Sequence, residues 1–216
     1  MYRSSFLFLF ITGFTLSMCL NQSFAKTAMA TEKTNSVQVN PKAGSLTIDI
    51  VPFNGTPKEM VQGLFVRLKQ IFPNITLQNP IPFPANAWYA PRTRYKADSL
   101  ISFLSENAQR RHVSLGITTD DISTTNGDIA DWGIMGLGFM PGNACIISSF
   151  RLNKGNLPDQ LFKVAIHELG HTQGLDHCPN KSCFMRDAEG KNTTDQEIEF
   201  CPKCKAFLIS KGWVIK

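Results

Sequence analysis

The sequence is poor in histidine, tyrosine and tryptophan, with four, three and three in 216 residues, and charged residues make up only 18% of it. Low charge beside 43% hydrophobic residues excludes a disordered chain or a coiled coil, and suits one domain with a sizeable core. No basic stripe exists: 22 Lys and Arg against 17 acids are scattered, with Arg110-Arg111 and Arg92/Arg94 the densest groups. Nucleic acid is therefore not an expected partner. Repeats and a second domain boundary are also missing. No apolar run is long enough to span a bilayer, so the mature chain is expected to lack an integral membrane segment.

The one strongly apolar run lies at the start. "MYR" supplies a positive beginning, "SSFLFLFITGFTLSMCL" an apolar core and "NQSFA" a polar end with small residues at Ser23 and Ala25. Residues 1–25 thus read as a signal peptide cut after Ala25, which places the protein in an exported, periplasmic or secreted compartment. "LSMC" offers a minor alternative, a lipoprotein anchored through Cys19, although Met18 stands where a small residue is required. Residues 26–42 are polar and aperiodic, a flexible lead-in, and residues 43–216 form the single expected domain.

Within that domain the pattern is α/β (α+β). "SLTIDIVPF" alternates as a strand, and Thr56, Pro57 and Glu59 suggest a capping box ahead of a helix through Met60, Leu64, Phe65, Leu68 and Ile71. Five prolines from Phe72 through Pro91 keep that stretch extended. A second helix carries Ala97, Leu100, Ile101 and Leu104 on one face, "HVSLGIT" reads as a buried strand, and "TDDISTTNGD" as a polar loop. "WGIMGLGF" and "ACIISSF" flank the turn "MPGN" as a hairpin. A third helix, with Asn156 or Asp159 as cap and Pro158 in its first turn, turns Leu161, Phe162, Ala165 and Leu169 inward.

That third helix holds two of the four histidines, and a third follows it closely. His167 and His171 are one turn plus about 40° apart, so both rings can reach one ion from the same face. Glu168, beside the first, can reach a water without binding the ion, the position of a general base. Gly174 is the natural end of the helix, and the reversal it permits brings His177 back as a third ligand. Three neutral donors with one open position are the mark of a catalytic zinc site. H-E-x-x-H alone occurs by chance in roughly one chain of this length in two hundred, and fixing Gly174 and His177 lowers that about a thousandfold. His112, at a helix-to-strand junction, reads as structural.

Cys178, Cys183, Cys201 and Cys204 are spaced as C-x4-C and C-x2-C, which fits a four-cysteine structural zinc site. Two disulfides are the rival, strengthened by export into an oxidising compartment. Zinc is favoured, because no thioredoxin-like setting surrounds the C-x2-C pair; Cys145 reads as a small buried hydrophobe, and any disulfide scheme leaves it or another cysteine unpaired. Two zinc ions per chain are expected.

H-E-L-G-H-T-Q-G-L-D-H-C, then C-F-M at 183–185 and F-C-P-K-C at 200–204, resembles the archaemetzincins, a branch of the metzincin zinc peptidases. Weaker likeness runs upstream through "RTRYKADSLISFL", "LGITTDDI", "WGIMGLGF" and "SSFRL". The resemblance implies a metzincin-like domain: a twisted, mixed, mainly parallel sheet, an active-site helix and a small zinc-clipped C-terminal part. It also implies that Met185 forms a turn beneath the catalytic zinc and that "WGIMGLGF" is the edge strand along which a peptide lies. The expected activity is zinc-dependent peptide hydrolysis, with Glu168 taking a proton from the attacking water and returning one to the leaving amine. No tyrosine can be assigned as an oxyanion donor. The chain is expected to act as a monomer on a peptide or protein substrate. Two alternatives are a zinc-binding module without catalysis, which would not need Glu168, and a zinc hydrolase of non-peptide amides or esters.

Overall fold

The computed structural model describes residues 46–215. The signal segment 1–25 with its cut after Ala25, the lead-in 26–42 and Cys19 lie outside the described residues.

Two sheets carry the fold. The larger has five strands in the order β2 (Ile75–Leu77), β1 (Thr47–Pro52), β5 (His112–Thr118), β9 (Ala144–Ser148) and β8 (Gly136–Gly138). Its first four strands are parallel, and β8 runs antiparallel to β9 at the edge. Because alternate residues of a strand face opposite ways, each layer of core comes from one parity. Ile48, Ile50, Leu115, Ile117, Cys145 and Ile147 pack under α1 (Lys58–Leu68) and α3 (Leu157–Thr172). Val51, Ala144 and Ile146 pack under α2 (Ala97–Glu106), which contributes the Ala97, Leu100, Ile101 and Leu104 face read from the sequence.

The smaller sheet has the order β3 (Trp88–Tyr89), β4 (Arg94–Lys96), β6 (Ile122–Asn126) and β7 (Ile129–Ile134). Here the sequence reading is corrected. "TDDISTTNGD" is not a polar loop: it contains β6, which pairs antiparallel with β7 through a turn at Gly127 with φ of 56°. Asn126-Gly127 is a hairpin signal that the polarity of the segment masked. As a result "WGIMGLGF" is divided, its first residues ending β7 and Gly136–Gly138 forming β8, with only the latter half in the expected hairpin with β9. Arg94 and Arg151 both clamp the buried Asp121 carboxylate, at 2.9 and 2.8 Å, and this ties the small sheet to the segment after β9.

The capping box is also absent. Thr56 donates instead to the Phe53 and Ile117 carbonyls, which joins the ends of β1 and β5, and Pro57 occupies the cap without a side-chain bond. Asn156 precedes α3, but its amide donates to Asp195, while Asp159 pairs with Arg67 and Lys163. His112 has a structural partner: its Nδ1 meets the buried Asp49 carboxylate at 2.8 Å across the β1–β5 pair. At the C-terminus, α4 (Pro202–Ser210) leads to Trp213, which packs edge-on against Phe72 below α1.

Candidate metal centre and cleft

His167 and His171 project from the last turns of α3, and Gly174, at φ of 88°, ends it. The Gly174 amide donates to His171 O at 2.8 Å and the Leu175 amide to Gly170 O at 3.2 Å, a Schellman-like reversal that returns the chain to His177. The three Nε2 atoms meet: His171 lies 3.0 Å from His167 and 3.2 Å from His177. Ligands about 2.05 Å from a tetrahedral zinc would stand about 3.3 Å apart, so the spacing fits. The opposite nitrogens decide which tautomer is present. Nδ1 of His167 donates to Phe184 O at 2.7 Å, and Nδ1 of His171 to Leu175 O at 2.8 Å. Both Nε2 lone pairs therefore face the common point, a cluster of acceptors that a cation satisfies.

Electrostatics agree. Burial, then the neighbouring His171 ring, pushes His167 down to about 3, and burial lowers His171 as well, so both are neutral at pH 7. His177 is the most exposed of the three, and its Nδ1 stands 3.7 Å from an Asp187 oxygen. Glu168, only 7% exposed, has its carboxyl pushed up to about 8 by burial. Its side chain lies against Gly136 of β8.

Met185 is fully buried under the same helix, where a Cβ added to Gly170 would sit 2.7 Å from its sulfur. Its carbonyl accepts the Cys178 amide at 2.7 Å, and so couples the turn to the second cluster. Cys178, Cys183, Cys201 and Cys204 bring their sulfurs within 4.8 Å of one another, with Cys178 and Cys201 3.7 Å apart. Four sulfurs about 2.3 Å from one zinc would be about 3.8 Å apart, whereas a disulfide needs about 2.05 Å. All five cysteines of the described residues are free thiols. The Cys204 amide at the start of α4 lowers Cys201 to about 7, while burial raises Cys183 and Cys204. The support for a metal is the convergence of four sulfurs at zinc-site spacing, with the proton affinity of one of them lowered. Cys145 is fully buried on β9, and burial pushes its thiol up.

In front of the histidines lies a cleft of about 790 Å³, bounded by β7 and β8 above, by α3 behind and by residues 186–197 below. Strand β8, the latter half of "WGIMGLGF", is the edge of its sheet. Two cleft residues escaped the sequence reading. Lys163, one turn before His167 and so legible from helical spacing, is buried and donates to Thr194 O at 3.0 Å. Gly136 has no sequence signal of its own, since its proximity to Glu168 is a tertiary contact.

The sequence model of peptidase family M54 matches residues 70–210. Similar proteins include the archaemetzincin of Haloquadratum walsbyi, 27% identical over 177 residues, 76% of this chain and 99% of that one. The archaemetzincin of Aeropyrum pernix is 27% identical over 176 residues, 77% of this chain and 95% of that one. Among solved structures, archaemetzincin from Archaeoglobus fulgidus, complexed with malonate, matches with a TM-score of 0.64 and 26% identity, covering 74% of this chain and 99% of its own. The Methanopyrus kandleri archaemetzincin, at 22% identity, shares the fold with a TM-score of 0.67 over 79% of this chain and 97% of its own. With this match over most of its length, and with both ligand clusters assembled, the chain belongs to peptidase family M54, the zinc-dependent archaemetzincins.

Proposed function

We propose that this zinc-dependent peptidase works through His167, His171 and His177 as the ligands of a catalytic zinc, with Glu168 as the general base, while Cys178, Cys183, Cys201 and Cys204 hold a structural zinc. The observation that carries the reading is the convergence of three Nε2 atoms at 3.0 and 3.2 Å beside one buried carboxyl. Zinc bound there supplies Lewis acidity, easing ionisation of water and polarising a carbonyl.

The chain's own groups do the rest. A peptide lies extended along the open edge of β8, its backbone pairing with that strand, which holds the scissile carbonyl near the histidines. Glu168 accepts a proton from the attacking water on a carboxylate oxygen and delivers it to the leaving nitrogen. The Phe184 and Leu175 carbonyls hold the two helix histidines in the tautomer that presents Nε2. Met185 supports the helix from below. A catalytic role, rather than partner binding alone, accounts for a carboxyl buried beside the ligands at a cost to stability. Peptide rather than ester hydrolysis is supported by family membership.

We also propose that the protein acts as a monomer, that it is exported, on the strength of the apolar segment before Ala25, and that it does not bind nucleic acid, on the strength of the scattered basic residues. Among the described residues, no helix is long and apolar enough to cross a membrane. A peptide library exposed to zinc-loaded wild type and Glu168→Gln tests the catalytic reading. Wild type should cleave, and the variant should lose at least about a hundredfold in kcat. Cleavage undiminished in the variant would remove Glu168 from its role.

A further inference from the structure

Strand β8 carries glycine at both positions that face α3, and the space these glycines leave is occupied by the reactive end of that helix. A Cβ on Gly136 would stand 2.5 Å from Glu168 Oε1, 2.6 Å from Cγ and 2.8 Å from Cδ. A Cβ on Gly138 would stand 2.8 Å from the Glu168 carbonyl oxygen and 3.4 Å from His171 Cβ. Neither glycine has a positive φ, so the backbone path does not demand glycine at either place. At Gly136 the carboxyl does.

The backbones on either side of Glu168 are both held. Behind it, Gly170 is packed on the Met185 sulfur, and the helix is held on both sides of Glu168 by the Nδ1 bonds of His167 and His171. On the other side, β8 is fixed by its pairing of Gly136 with Ile147 and Gly138 with Cys145. Helix and strand are thus both anchored, and a methyl group at 136 must be accommodated by movement of the Glu168 side chain.

We infer that the missing side chain of Gly136 is the recess that seats the Glu168 carboxyl, which makes Gly136 a positioning residue for the proton-transfer step. This rests on the reading of Glu168 as the base. Displacing a reacting group by about 1 Å lowers turnover by about a hundredfold, whereas ground-state binding along β8 is little changed.

Two measurements on the full chain test the recess. With zinc-loaded enzyme, Gly136→Ala should lower kcat by about tenfold to a hundredfold, with KM within about twofold and two zinc ions retained. In a Glu168→Asp background, whose carboxyl is one methylene shorter, the same substitution should cost less than about twofold, because the space is already vacated. Equal losses in the two backgrounds, or none in wild type, would overturn the proposal. The second measurement needs no turnover. In metal-free protein Gly136→Ala should lower Tm by about 3–6 °C when Glu168 is present and by under about 1 °C beside Glu168→Ala. Equal shifts would refute the recess, even if wild type proved unable to cleave peptides and Glu168 lost its assigned role. Unequal shifts would support the recess in that same case.

Discussion

Replacing Glu168 with glutamine should stabilise the metal-free protein, and the gain should depend on pH. Burial pushes the carboxyl from its ordinary 4.5 to about 8 in the folded state. At neutral pH the unfolded chain has released this proton and the folded chain has kept it, so folding must take a proton up. The sign follows from the raised folded value: the carboxyl's contribution is most favourable below 4.5 and is lost progressively as pH rises through 8. Each pH unit in that window is worth about 1.4 kcal/mol, or about 3 kcal/mol at pH 7. Glutamine has the size of the protonated acid and no proton to lose, so Glu168→Gln should recover most of that amount. With a urea dependence of about 2 kcal/mol per molar, the midpoint at pH 7 should rise by about 1.5 M. Urea unfolding of both proteins in chelator, from pH 4 to 9, should give midpoints that agree below pH 4.5 and diverge up to pH 8. A difference independent of pH, or a less stable glutamine variant at pH 7, would refute the argument. The pattern would show a group kept for chemistry at the expense of stability.

Zinc should reverse the same penalty, since a nearby cation favours the carboxylate. Calorimetric zinc titrations in buffers of different ionisation enthalpy should therefore show about one more proton released by wild type than by Glu168→Gln at pH 7. The depressed folded values of His167 and His171 have the opposite sense: their contribution is complete above pH 6.5 and lost as pH falls below it. The metal-free protein should consequently lose stability below pH 6.5, and His167→Gln should flatten that loss. Cys201→Ser should reduce the zinc content from two ions to one and unfold the C-terminal part, read as rapid proteolysis after residue 178, because a structural zinc contributes on the order of 10 kcal/mol. Asp121→Ala, which strands the Arg94 and Arg151 guanidinium groups, should cost about 3–5 kcal/mol in urea unfolding.

The histidines that meet in one cluster were legible because helical geometry and glycine conformation act over a few residues. His167 and His171 need only one turn of helix, and the left-handed Gly174 explains how His177 returns. Residues with a strong local period were equally clear, as the α2 face of Ala97, Leu100, Ile101 and Leu104 shows. Where local signals competed, the reading failed. The hydroxyls and acids of "TDDISTTNGD" suggest a loop, yet β6 forms because β4 and β7 supply hydrogen bonds on both sides. Thr56 was expected to cap α1, but the Ile117 carbonyl, 61 residues away, provides a competing acceptor.

The sequence by itself determined which side chains can bind metal and the helix that presents the first two. The three histidines fall within eleven residues, so one helix end and one turn suffice to gather them. Only the tertiary structure decided the environment of Glu168: a helix laid against an edge strand that has glycine where any side chain would intrude, which removes water and shifts its proton affinity. Desolvation arises from atoms distant in sequence, so no local pattern records it. The same contact between α3 and β8 sets Glu168 beside the strand on which the peptide is expected to lie.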